Sequence, residues 1–166
     1  MRPLVRIAAF LSAATLVLGG VTTPAAAAPV AVAPAASQDF KADSGDRCQY
    51  GHTTGVLAWR APRPTIHAVV DVKGTVVDRP SRTDPGVGCA EDGAFSAASF
   101  IAYVGRTVVD SAQVRVDNGS ADFVLTLGES SATVPIIERV VVQICRYPNT
   151  PVGISYCGSP QTYLPR

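Results

Sequence analysis

The chain has 166 residues, 14 basic and 13 acidic side chains, a formal net charge of +1, four cysteines and two histidines. Nucleic-acid binding needs a concentrated cationic footprint. No basic block occurs anywhere in the sequence, so that class is set aside.

The first residues have the three-part layout of an export signal. Arg2 and Arg6 precede an apolar run from Ile7 to Val21, and Ala25 to Ala28 then offer an A-x-A cleavage pattern. The run is too short and too rich in small residues for a comfortable membrane span. Cleavage is expected after Ala27, because a cut after Ala28 would leave Pro29 at the new terminus. Residues 1–27 are therefore read as a secretory signal peptide and the protein as secreted and extracellular. Without Arg2 and Arg6 the remaining 12 basic residues face 13 acidic ones, a net of −1. Residues 28–47 are Ala/Pro-rich and then polar, with no stripe long enough to bury, and are read as a flexible arm. Residues 48–166 form the expected domain.

Four cysteines in an exported chain point to two disulfides. Three pairings exist, and Cys48–Cys89 with Cys145–Cys157 is favoured because each joins segments that look like neighbours. After Cys48 the chain breaks into strand lengths separated by turn residues. Over Thr65–Asp78, Ile66, Ala68, Val70, Val72 and Val76 share one face, which predicts a half-buried strand with a bulge or bend at Gly74. Pro80 to Gly93 reads as a loop, and Phe95–Val104 and Arg106–Val116 as two further strands. Asn118-Gly119 then separates alternating runs, the second with Phe123, Leu125 and Leu127, and predicts a tight hairpin. Ile136–Cys145 and a short strand around Val152–Cys157 close the chain, with Pro148, Asn149 and Pro151 turning it between them. No helical period is sustained outside the signal. The expected fold is all-β, an antiparallel β-sandwich with two disulfides, and spacing leaves open whether its topology is immunoglobulin-like.

Groups able to perform catalysis are few. His67 and Asp71 share a strand face, but no G-x-S-x-G accompanies them, and the nearest fragment, Gly153 to Cys157, lacks the closing glycine. Cys48 and His52 have C-x₃-H spacing, yet in an exported chain a disulfide competes with a metal thiolate. Two acidic groups, Asp84/Glu91/Asp92 and Asp117/Asn118/Asp122, lack the spacing of a calcium loop and read as solvated turns. No cofactor and no metal is expected, and no enzymatic activity, although mutating His67 would check for an enzyme of unfamiliar design.

The aromatic residues are the better binding candidates. Trp59, the only Trp, sits in VLAWR, and Tyr147, Tyr156 and Tyr163 gather around the C-terminal turn. Exposed rings form platforms for sugars or partner side chains, although Trp59 is also a natural core residue. The stretch CRYPNTPVGISYC brackets a proline-containing loop with two cysteines, and a clamped loop loses less entropy on binding. Arg146 is its basic residue and the candidate for presentation to a trypsin-like protease.

With its alanine-rich signal and its C-terminal VVVQICRYPNTPVGISYCGSP, the chain resembles small exported β-sandwich proteins of actinobacteria. That resemblance implies the fold but no activity transferable to a residue. The exported chromophore-carrying apoproteins related to neocarzinostatin have much closer cysteine pairs, and the characteristic cysteine-rich region of the subtilisin inhibitors is absent. The sequence thus predicts a monomeric, non-enzymatic binding protein without a membrane partner after signal cleavage. Its partner would be an extracellular polysaccharide, taken by Trp59, Tyr147 and Tyr156, or a protein, taken through Arg146.

Overall fold

In a computed structural model, residues 36–60, 68–79, 89, 93–128 and 136–166 are described. The segment read as a signal peptide, His67 and the acidic group Asp84/Glu91/Asp92 lie outside them. Among the described residues, nine strands form two antiparallel sheets: β1 (Ala36–Asp43), β2 (Gly51–Arg60), β3 (Val69–Asp78), β4 (Ala94–Val104), β5 (Thr107–Val116), β6 (Ser120–Leu127), β7 (Arg139–Pro148), β8 (Tyr156–Cys157) and β9 (Gln161–Tyr163). The first sheet runs β1-β2-β3-β6 and the second β5-β4-β7-β8, with β9 also on β7. Period-two alternation in each strand turns one set of side chains inward. Leu57, Val70, Val72 and Val76 thereby meet Phe100, Val140, Val142 and Ile144, all fully buried.

Eight of the twenty residues read as a flexible arm form a strand. Ala36 to Asp43 pair with β2 from Trp59 to His52, and Phe40 and Ala42 enter the core. Phe40 and Ala42, with Ala36 partly buried beside them, supply this burial, too little apolar surface to show as a stripe in the sequence. The strand would leave an open edge, a template for unwanted pairing. Tyr163 covers part of it: its hydroxyl donates to the Lys41 carbonyl at 2.8 Å and accepts from the Lys41 amide at 2.9 Å. Its ring meets Phe40 edge-on at 6.4 Å. Tyr163→Phe should therefore cost about 1 kcal/mol and speed exchange of the Lys41 amide; unchanged protection of that amide would show that the edge is guarded by something else.

Gly74 does not mark a bulge. The β2–β3 register runs unbroken through the facing pair Gly55 and Gly74, and the one register shift within a strand pair lies at Ala102/Tyr103. The glycines serve packing instead. A Cβ on Gly55 would sit 2.7 Å from Phe40 Cε1, and one on Gly74 2.9 Å from Phe40 Cζ and 3.1 Å from Phe123 Cζ. The two bare positions let rings from β1 and β6 lie across the sheet. There they meet Phe100 of the opposite sheet, with centroids 5.5 Å from Phe40 and 5.1 Å from Phe123.

The Asn118-Gly119 turn exists but does not make a hairpin. β5 pairs with β4 and β6 with β3, so the turn carries the chain from one sheet to the other. Asn118 has the expected positive φ of 48°, whereas Gly119 does not, as a two-residue type I′ hairpin would require. Asp78 holds the crossing: its Oδ2 accepts from the Asn118 amide at 2.9 Å, and its own amide donates to the Gly119 carbonyl at 2.7 Å. Alternation in two neighbouring segments fits facing sheets as well as paired strands.

Candidate functional site

Both disulfides have the expected pairing, Cys48–Cys89 and Cys145–Cys157. All four thiols are thereby used, and the Cys48/His52 pair has no thiolate to offer a metal. Cys145 and Cys157 are direct cross-strand partners, as are Arg146 and Tyr156, so the bond clamps the β7–β8 hairpin at its base. The final strand is shorter than expected: Val152 to Ser155 belong to the loop and the strand begins at Tyr156.

Beyond the clamp the loop runs out into solvent. Val152 and Ile154 are each 90% exposed, and Pro151, Gly153 and Ser155 are exposed with them. The limb leaving β7 is anchored at Asn149. Its amide donates to the Gly93 carbonyl at 2.8 Å, and its side-chain amide reaches the Asp117 carboxylate at 3.2 and 3.4 Å. On the returning limb, Tyr156 is 39% exposed and donates its hydroxyl to Asp46 Oδ2 at 3.3 Å. Large aliphatic side chains are normally drawn out of water, yet the chain holds two of them at the tip of a covalently closed loop.

Arg146 is not part of that exposed tip, which corrects its assignment as a presented basic residue. It is 1% exposed, because in β7 it shares the inward face of Val140, Val142 and Ile144. Its Nη1 pairs with Asp78 Oδ1 and reaches Ser96 Oγ at 3.0 Å, while its guanidinium lies 4.8 Å from the Tyr50 ring centre. Ser96 Oγ in turn donates to Asp78 Oδ1 at 2.8 Å. Asp78 ends β3 and Arg146 nears the end of β7, so the pair ties the two sheets together directly beneath the loop.

Trp59 is likewise no surface platform. It is 7% exposed and packs in the core among residues of both sheets. Tyr147 does point outward, opposite Phe95 on β4, and the two rings stack at 5.4 Å with 25° between their planes. The Arg115 guanidinium stands 3.4 Å from the Phe95 ring centre. A second pair repeats the motif, with Arg139 4.2 Å from the Tyr103 centre. A sugar ring needs a free aromatic face, and Tyr147 and Tyr103 each have one face engaged by a neighbouring ring or a guanidinium.

The remaining candidates are separated by the fold. Asp71 accepts from Arg60 at 2.6 and 2.7 Å and from Thr126 Oγ1 at 3.0 Å, on the outer face of the first sheet. Thr75 Oγ1 donates to Asp122 at 2.5 Å, whereas Asp117 reaches across to Asn149. Among the described residues, no group of three or more His, Cys, Asp or Glu side chains is placed to hold a metal ion. Sequence reasoning fixed on the charge and the rings of the clamped segment and passed over its aliphatic tip. The signal for that tip was the pair Val152 and Ile154 flanking a glycine in a turn where polar residues are usual. Compared with protein-family models, curated proteins and solved structures, the chain finds no match.

Proposed function

We propose that this chain is an exported, non-enzymatic binding protein that engages a protein partner through the tip of the Cys145–Cys157 loop. The observation that carries this reading is the 90% exposure of both Val152 and Ile154 on a loop closed by a disulfide. Such a segment presents apolar area to a partner while having little conformational freedom left to lose. Export is supported by the signal-like N-terminus and by two disulfides, which persist in oxidising compartments.

An immunoglobulin-like topology fits the same reading. If β2, β3 and β6 are taken as strands A, B and E, and β5, β4, β7 and β8 as C′, C, F and G, the sheet orders correspond, with β1 as an added edge strand. The clamped loop then occupies the F–G position, one of the loops that antibody variable domains use for recognition. A carbohydrate platform at Tyr147 is less well supported, since its neighbour Phe95 already lies against one of its faces.

The test immobilises the intact protein, exposes it to the extracellular fraction of the producing cells, and identifies what is retained by mass spectrometry. A protein retained by the wild type and lost with the Val152→Asp/Ile154→Asp variant, at unchanged Tm, is the expected result. Identical retention by both forms would end the loop reading.

A further inference from the structure

The nature of the loop points to the kind of partner. We infer that the loop is a substrate-like ligand for an endoprotease with an aliphatic specificity pocket, with Ile154 as the inserted side chain; this rests on the loop reading above. Endoproteases recognise an exposed, strand-like stretch of main chain, and a specificity pocket takes one side chain from it. The loop offers such a stretch on its returning limb. After the bends at residues 149–153, Ile154 and Ser155 run without a turn directly into β8. Ile154 is 90% exposed there, and Cys157, three residues on, is tied to Cys145.

Chemistry and support narrow the partner further. From Tyr147 to Tyr156 the sequence carries no charge, and Arg146, which immediately precedes it, is buried against Asp78. A pocket built for a cation has nothing to bind, while a shallow aliphatic pocket fits a β-branched side chain. The residue before Ile154 is also supported from within the loop. Gly153 lies so close to the Pro148 ring that a Cβ there would overlap it, so the bend rests on a ring whose φ is fixed. Val152, two residues earlier, is equally exposed and offers a second aliphatic contact. A segment tied at both ends cannot relax away as a cleaved flexible peptide does, which favours holding the protease over turnover.

The experiment uses the full mature protein against an elastase-type protease, a trypsin-type protease and phosphatidylglycerol vesicles. The expected result is inhibition of the elastase-type enzyme, weakened by about 30-fold or more in Ile154→Asp, the loss typical of a central anchor residue. Ile154→Arg should move the inhibition to the trypsin-type enzyme, and circular dichroism confirms that both variants are folded. Absence of elastase inhibition, inhibition unchanged in Ile154→Asp, or rapid cleavage after residue 154 each overturns the inference. Vesicle binding lost in Ile154→Asp, without protease inhibition, would overturn it in favour of a lipid surface. If the loop still retains a protein from the extracellular fraction, the broader binding reading survives that failure; if it retains none, both fall.

Discussion

Replacing Arg146 by alanine is expected to destabilise the domain by about 3–5 kcal/mol, as measured by urea unfolding. The cost comes from what the guanidinium leaves behind. Asp78 is 2% exposed, and without Arg146 its carboxylate would be a buried charge whose remaining partners among the described residues are Ser96 and the Asn118 amide. Breaking one half of a buried pair costs far more than the pair contributes relative to an apolar substitute. Domains of this kind are stable by only about 5–15 kcal/mol, so the variant would lose a large share of its margin. Removing both charges, as Arg146→Met with Asp78→Leu, should recover part of the loss but not all of it. The buried Ser96 hydroxyl would lose its acceptor, at about 1–3 kcal/mol, and the Asn118 amide, on an exposed residue, would lose its partner at smaller cost. A presented loop arginine predicts the opposite pattern, a lost interaction at constant stability. A change below about 1 kcal/mol for Arg146→Ala would return Arg146 to the surface.

Where the sequence was legible, one physical signal dominated. The expected strand Thr65–Asp78, read from alternation, covers the observed Val69–Asp78, because one buried face repeats at period two; the expected Phe95–Val104 matches Ala94–Val104, and Ile136–Cys145 is offset by three residues from Arg139–Pro148. The same rule, continued two residues past Ile144, would have turned Arg146 inward; its charge was allowed to outweigh its register. The Asn118-Gly119 turn was misread for a different reason. Turn chemistry is local, whereas the sheet that each flanking strand joins is decided by long-range pairing, here β6 with β3 and β5 with β4. β1 was missed because edge strands bury few side chains, and its anchoring depends on Tyr163, 122 residues away from Lys41. The clamped loop was found through its cysteines, but not its exposed aliphatic tip, since exposure of Val152 and Ile154 depends on where the loop ends relative to β8.

The two disulfides should separate stability from recognition. In the chain-entropy model, opening Cys48–Cys89, which spans 41 residues, costs about 4 kcal/mol, and opening Cys145–Cys157, which spans 12, about 3 kcal/mol. By urea midpoint alone the first loss is the larger. Partner retention should rank them the other way. The Cys48–Cys89 bond joins segments that brace the loop, through Asp46 on Tyr156 and Gly93 on Asn149, but it does not close the loop itself. A folded Cys48→Ala/Cys89→Ala protein therefore keeps the Cys145–Cys157 closure and should lose less of its partner retention than the opened loop. In Cys145→Ala/Cys157→Ala the β8 pairing is reduced to the contact of a two-residue strand, and the tip gains the freedom that the clamp had removed. Ordering that segment again on binding costs about 0.5–1.5 kcal/mol for each side chain immobilised, besides the backbone. Retention should therefore fall about tenfold or more, when both variants are compared in conditions where circular dichroism shows them folded. Equal retention by the two variants would mean that closure of the loop contributes nothing to its recognition. Val152 and Ile154 would then be exposed for a reason other than binding, and the functional reading of the loop would have to be given up together with the clamp.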